Sequence, residues 1–368
     1  HIQNPQGAAK ALMVYTFPRK VCVAEAETGR FLWDYKLPAE AAGDPVLVGD
    51  AVFAAARDGS VLRIDTATRK AVWRKKLPAS LLGGLSVHAG RLSVGSTDGQ
   101  LFCLDVEDGR VRWSWRCGEK EERALRFFST PREHAGRLYV GAASGTLYCL
   151  NASKGSLLWK IDVGSWIRSR PLVIKDTVYV ATLDSELVAV KDLGKTAREK
   201  GRTKLGVHGF TADLVGNAER ILCSGKDMML YSVSPDSGKV QWRHGIIDGA
   251  WIDEEFVAAE WVVGFMASPS VVDGTLYISG PDGFVNAVDA ETGRENWRYE
   301  VGGSLSGQPV VAEGMVFIAC MKGQKRFCAL DQKTGRLIWE SAAFGNVWVA
   351  PAYHDGMLFF GNIAGDMF

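Results

Sequence analysis

An eleven-residue pattern that returns along the chain limits what this sequence can fold into more than any other feature. The segment AVDAETGRENW, Ala287 to Trp297, recurs as ALDQKTGRLIW at Ala329 to Trp339, and looser copies end at Trp33, Trp73, Trp113, Trp159 and Trp242. The residue eight before each Trp is polar: Glu25, Asp65, Asp105, Asn151, Ser234, Asp289 and Asp331. An eighth copy is degenerate, with Lys191 in the polar slot and Glu199 in the Trp slot. Eight copies in 368 residues give a period of about 46, the range of propellers and repeat arrays.

Each copy reads as four short strands. In the clearest, SPSVV from Ser268, TLYIS from Thr275, FVNAVD from Phe284 and ENWRYE from Glu295 are separated by Val-Asp-Gly, Pro-Asp-Gly and Glu-Thr-Gly. Gly and Asp stand where positive φ costs little. No stretch keeps a helical period, so the chain is expected to be all-β. The expected fold is an eight-bladed β-propeller of four-stranded antiparallel blades. The N-terminus supplies KVCVAEAETGRFLW and the C-terminus VAPAYHDGMLFFGNIAGDMF, two part-repeats that together make one blade. Closure of that blade by N- and C-terminal strands removes exposed sheet edges and implies a single domain over residues 1–368.

The pattern Ala-x-Asp-x-x-Thr-Gly-x-x-x-Trp resembles the tryptophan-docking motif of the PQQ-like, quinoprotein-type propeller repeat, and the resemblance covers essentially the whole chain. The WD40 and kelch patterns fit less well. The resemblance implies either a scaffold or sensor of BamB-like plan, which binds a protein partner or a small ligand, or a PQQ-dependent oxidoreductase. It also implies a periplasmic or otherwise exported location, with a cytoplasmic one left open. The opening HIQNPQGAAK lacks the charged-then-apolar profile of a secretory signal. Forty-three basic against 42 acidic residues give a net charge of +1, which excludes nucleic-acid binding driven by bulk charge. With no run of 18 apolar residues, no membrane span is expected.

Connector lengths point to candidate sites. Trp33 to Pro45, Trp159 to Pro171, Trp297 to Pro309 and Trp339 to Pro351 are each 12 residues. Trp113 to Pro131 is six longer, and Trp242 to Pro269 fifteen longer. The larger insertion carries Trp251, Asp253, Glu254, Glu255 and Trp261, an acidic and aromatic loop suited to recognition. Two further connectors carry Trp166, Arg168 and Arg170, and Asn346 and Trp348. Alternation places Arg168 and Arg170 on one side, with Ala42, Phe128 and Thr130 at equivalent positions elsewhere. Arginine beside aromatics suits an anionic planar ligand. The bland alternative pairs those arginines with acids and leaves the loop acids solvated.

Known catalytic patterns are missing. Six histidines form no HExxH or Cys/His zinc spacing, and no Gly-x-Ser-x-Gly elbow is present. Quinoprotein dehydrogenases use a disulfide between neighbouring cysteines, whereas none of the seven cysteines here is adjacent to another. The expectation is therefore a non-enzymatic propeller with no cofactor. PQQ chemistry and a glycan-binding or glycan-processing site in the central funnel are the alternatives. The cysteines read as small core residues. The basic segment KDLGKTAREKGRTK, residues 191–204, reads as a solvated loop.

Overall fold

The computed structural model describes residues 12–17, 19–25, 31–43, 45–118, 126–245, 269–280, 282–302, 305, 308–319, 326–342, 352–354 and 357–359. Every regular element among them is a β-strand, and the strands pair antiparallel, as in Leu12–Phe17 with Lys20–Glu25. Seven four-stranded sheets follow one another in sequence, preceded by a three-stranded sheet and followed by a two-stranded one. Within a sheet the strands pair in chain order, from a short first strand such as Val46–Val48 to a fourth such as Ala71–Lys76. These are the blades of an eight-bladed β-propeller. The N-terminal part-repeat carries one strand more than its sequence suggested, Leu12–Phe17 ahead of Lys20–Glu25 and Phe31–Lys36.

Internal packing divides the chain into two units, residues 1–183 with 188–201, and residues 184–187 with 202–368. In the first unit the first strands Val46–Val48, Ser86–His88 and Arg132–His134 contact one another in succession. In the second, Ser270–Val272 meets Val310–Ala312, which meets Ala352–His354.

The repeat motif builds the joint between blades in three steps. The polar slot makes a turn: Asp289 Oδ1 accepts the Thr292 amide at 2.7 Å and its hydroxyl at 2.8 Å, and Asp331 does the same with Thr334 at 2.8 and 2.7 Å. These bonds hold both carboxyls below the usual range. The glycine after the threonine adopts positive φ, +73° at Gly293 and +67° at Gly335. The indole of the preceding blade then covers that glycine, where an added Cβ would lie 2.5 Å from Trp242 at Gly293 and 2.5 Å from Trp297 at Gly335.

The indole nitrogen closes the joint. Trp73 donates to the Val106 carbonyl at 3.0 Å, Trp113 to Ala152 at 3.0 Å, Trp242 to Ala290 at 3.1 Å and Trp297 to Gln332 at 3.0 Å. A β-bulge beside each indole fits it to this task. Ala287 pairs with Trp297 but Val288 with Glu295, which leaves Asn296 over and re-aims the strand. Trp339, the last copy, is 38% exposed.

The degenerate repeat departs from expectation. Residues 197–204 are not a loop: Ala197–Lys204 is the fourth strand of its sheet, paired beside Glu186–Asp192. Its basic side chains sit on an exposed strand, where Arg202 pairs with Glu186 at 2.6 Å. The indole joint is also rebuilt. Trp159 donates to the Asp192 carboxylate at 3.1 Å instead of to a carbonyl. That carboxylate also accepts the Tyr139 hydroxyl at 2.7 Å and the Gly194 amide at 2.8 Å, and pairs with Arg137. Burial pushes the Asp192 pKa up, but Arg137 and these donors outweigh it and hold the carboxyl below its ordinary value.

Two outcomes follow from these joints. Trp297→Ala removes a lid buried to 8% exposure and should cost about 3–5 kcal/mol in urea unfolding; a change within experimental error contradicts the docking role. Because Asp192 has its pKa lowered by folding, its contribution is present above the usual carboxylate range and fades as pH falls through it. The stability of Asp192→Asn should therefore depend less on pH than that of the unsubstituted chain between neutral and acid conditions. Parallel urea midpoints at several pH values read the difference directly.

Candidate functional site

Connectors between blades are pinned at both ends by main-chain hydrogen bonds. The connector ahead of Leu172–Ile174 donates from Val163 to Gly145 O at 2.8 Å and from Ile167 to Ala142 O at 3.2 Å, both in the preceding blade. It then accepts from Leu183 at Trp166 O, 3.0 Å, in the blade it enters. Equivalent bonds run from Arg57 to Glu40 O, Thr97 to Ser80 O and Ala143 to Arg126 O. Connectors thus lie on the same face as the turns between second and third strands, and they are rigid where they cross it.

Successive connectors are also laced together. Gly84 N donates to Thr130 Oγ1 at 3.2 Å, and Ser129 Oγ donates to Ser169 O at 3.0 Å. Along residues 165–170, Ser165, Ile167 and Ser169 are buried while Trp166 and Arg168 are exposed and Arg170 is half-buried. The expected alternation therefore holds here. It fails at Ala42, which is buried because its amide bonds Ala55 O at 2.9 Å and its methyl packs with Ala51 and Phe53.

The exposed side of two connectors carries an aromatic and cationic cluster. Trp166, 46% exposed, stacks on Phe128 with ring centroids 6.1 Å apart and planes 14° from parallel. The Arg168 guanidinium lies 5.3 Å from the Phe128 ring centroid. Phe128 comes from the connector lengthened by six residues, and its pairing with Trp166 across 38 residues has no local sequence signal. Arg170 belongs elsewhere: it lines a cavity with Arg132, His88 and His134. Trp251, Asp253, Glu254, Glu255, Trp261, Asn346 and Trp348 lie outside the described residues.

Three carboxylates near the turns follow a common pattern, and Asp227 departs from it. Turn carboxylates meet a base from the fourth strand, as in Asp58 with Lys76 at 2.6 Å, Asp98 with Arg116 at 2.8 Å and Asp282 with Arg298 at 3.4 Å. Asp227 has Tyr231 Oη at 2.5 Å instead, since Gly245 occupies the strand position that Lys76 and Arg116 hold elsewhere. Burial raises its pKa despite bonds from Tyr231 and the Met229 amide. This buried acid was not singled out in the sequence, where it reads as one more turn residue.

The side chains of Cys103, Cys117, Cys149, Cys223 and Cys328 are described; all are buried and none of them forms a disulfide. Burial pushes the Cys103 and Cys117 thiols up to about 11 and Cys149 up to about 12, far from a nucleophilic thiolate. Among the described residues no cluster of three His, Cys, Asp or Glu side chains is placed to hold a metal ion, and no helix is long and apolar enough to cross a membrane.

Comparison with known proteins agrees with this architecture. The family model described as "Outer membrane protein assembly factor BamB" matches residues 3–114, 127–280 and 226–367. The crystal structure of BamB from Moraxella catarrhalis superposes with a TM-score of 0.65 at 17% identity, covering 91% of each chain. Quinohemoprotein alcohol dehydrogenase from Comamonas testosteroni gives 0.67 at 16% identity over 86% of this chain and 69% of its own. The computationally designed Ika8 protein gives 0.67 at 16% identity over 88% and 93%. At these identities the structures share the fold. No curated protein sequence matches the chain.

Proposed function

Because the chain belongs to the family of the outer membrane protein assembly factor BamB, we propose that it is a non-enzymatic, single-domain propeller scaffold that docks a protein partner of outer-membrane protein assembly on its connector face. The observation that carries this reading is the Phe128, Trp166 and Arg168 cluster. A tryptophan left 46% exposed, stacked and backed by main-chain bonds, is a preorganised anchor, and Trp and Arg dominate interface hot spots. Its rigidity matters because little side-chain freedom remains to be lost on binding. An exported, periplasmic location is part of the same proposal.

A quinone-dependent oxidation does not fit the described residues. The five cysteines whose side chains are described are buried and none is adjacent to another in sequence, so none offers a neighbouring pair, and no described acid cluster suits a quinone-bridging ion. A glycan site in the funnel has no described aromatic platform beyond the cluster already assigned to a partner.

The test is a photoreactive residue placed at Trp166 and, as control, at the exposed turn residue Gly136, followed by crosslinking in the cell envelope. Capture of an outer-membrane assembly component at 166 alone supports docking there. No capture, or equal capture at both positions, contradicts it. Trp166→Ala with Arg168→Ala should weaken binding of the captured partner by about 2 kcal/mol or more while Tm stays nearly constant, because neither side chain is buried.

A further inference from the structure

The first strands of three successive blades, Val46–Val48, Ser86–His88 and Arg132–His134, wall a cavity of about 370 Å³ that Arg170 also lines. All of these residues belong to the first unit. The volume lies within the range of small-ligand sites, about 300–1,000 Å³. The lining is strongly basic. Arg132 and Arg170 meet there with His88 and His134, and Ser86 adds a hydroxyl. The acid among the lining residues, Glu133, is 2% exposed at its side chain and is already engaged by Arg91, with Nε at 3.4 Å and a second, shorter contact. Glu133 is thus committed to Arg91.

Arg132 carries the argument. Its Nε is buried and has no hydrogen-bond partner among the described residues. A buried guanidinium N–H without an acceptor costs free energy comparable to a lost charged hydrogen bond, so natural structures seldom leave one unanswered. Apolar packing does not satisfy it, and a cationic wall repels a cationic partner. The complementary occupant is a compact oxyanion, whose two oxygens match the planar fork of arginine.

We infer that this cavity is a binding site for a small doubly charged oxyanion, a phosphate or a dicarboxylate, held between Arg132 and Arg170. It is distinct from the partner surface, since Phe128, Trp166 and Arg168 are not among its lining residues. The two sites therefore fail or succeed separately.

Isothermal titration of the full chain with inorganic phosphate, and in a second arm with succinate, tests the inference and separates the two ligand sources. Binding of one or both in the millimolar range or tighter is expected, with a ligand-dependent rise in Tm. Arg132→Gln should weaken it about tenfold or more. Arg170→Gln, at a half-buried connector position, provides the same reading if Arg132→Gln does not fold. Trp166→Ala with Arg168→Ala should bind the anion as the unsubstituted chain does. Neither heat nor Tm change with either probe overturns the inference, as does binding that survives both arginine substitutions unchanged.

Discussion

Among the described residues, the indoles of Trp73, Trp113, Trp242 and Trp297 each fasten one blade to the next by covering a turn glycine and donating a hydrogen bond beneath it. In its fullest form the geometry uses four residue types at fixed spacing. An Asp or Asn folds the turn, a Thr or Ser reinforces it, a Gly supplies positive φ and a flat surface, and a Trp from the neighbouring blade lies on that surface. At Gly155 the indole of Trp113 comes so near that a methyl group would sit 2.4 Å from its ring. The glycine is thus held by two independent demands, backbone conformation and contact. Short strands bury little area each, so most of the cohesion between sheets passes through these joints and the apolar layers around them.

The same joint explains how the chain tolerates an aberrant repeat. Where the motif loses its Trp and its polar slot, the incoming Trp159 needs another acceptor, and Asp192 one position further along supplies it. A carboxylate in that place needs compensation, which Arg137 and Tyr139 provide from the preceding blade. The strand that follows keeps its pairing although it is highly charged, because its one neighbour in the sheet, Glu186–Asp192, provides the main-chain partners. Order here comes from the sheet rather than from apolar pattern.

Much of this was legible in the residues, and the remainder was illegible for identifiable reasons. Asp289, Thr292, Gly293 and Trp297 declare turn, φ and lid within nine positions, so local chemistry sufficed to give fold class and blade count. Asp192 could not be read as an acceptor, since its partners Tyr139 and Arg137 stand more than fifty residues earlier. Phe128 and Trp166 likewise meet only through tertiary packing. Trp166, Arg168 and Arg170 were expected to share one site, but alternation fixes only the side on which they emerge. Side-chain reach then sends Arg170 to the cavity beside Arg132, while Arg168 turns to the Phe128 ring. A basic stretch with no Trp read as a loop because sheet pairing leaves no trace in composition.

The most direct test of the blade joint is a double-mutant cycle between Gly155 and Trp113. Gly155→Ala adds a methyl group at φ +68° beneath the indole, combining backbone strain with a collision. In the Trp113→Ala background only the backbone strain should persist, so the account predicts a coupling free energy above about 1 kcal/mol between the two substitutions. Additive effects within error, with the same cost of Gly155→Ala whether or not the indole is present, would contradict the joint on which the fold is argued to rest.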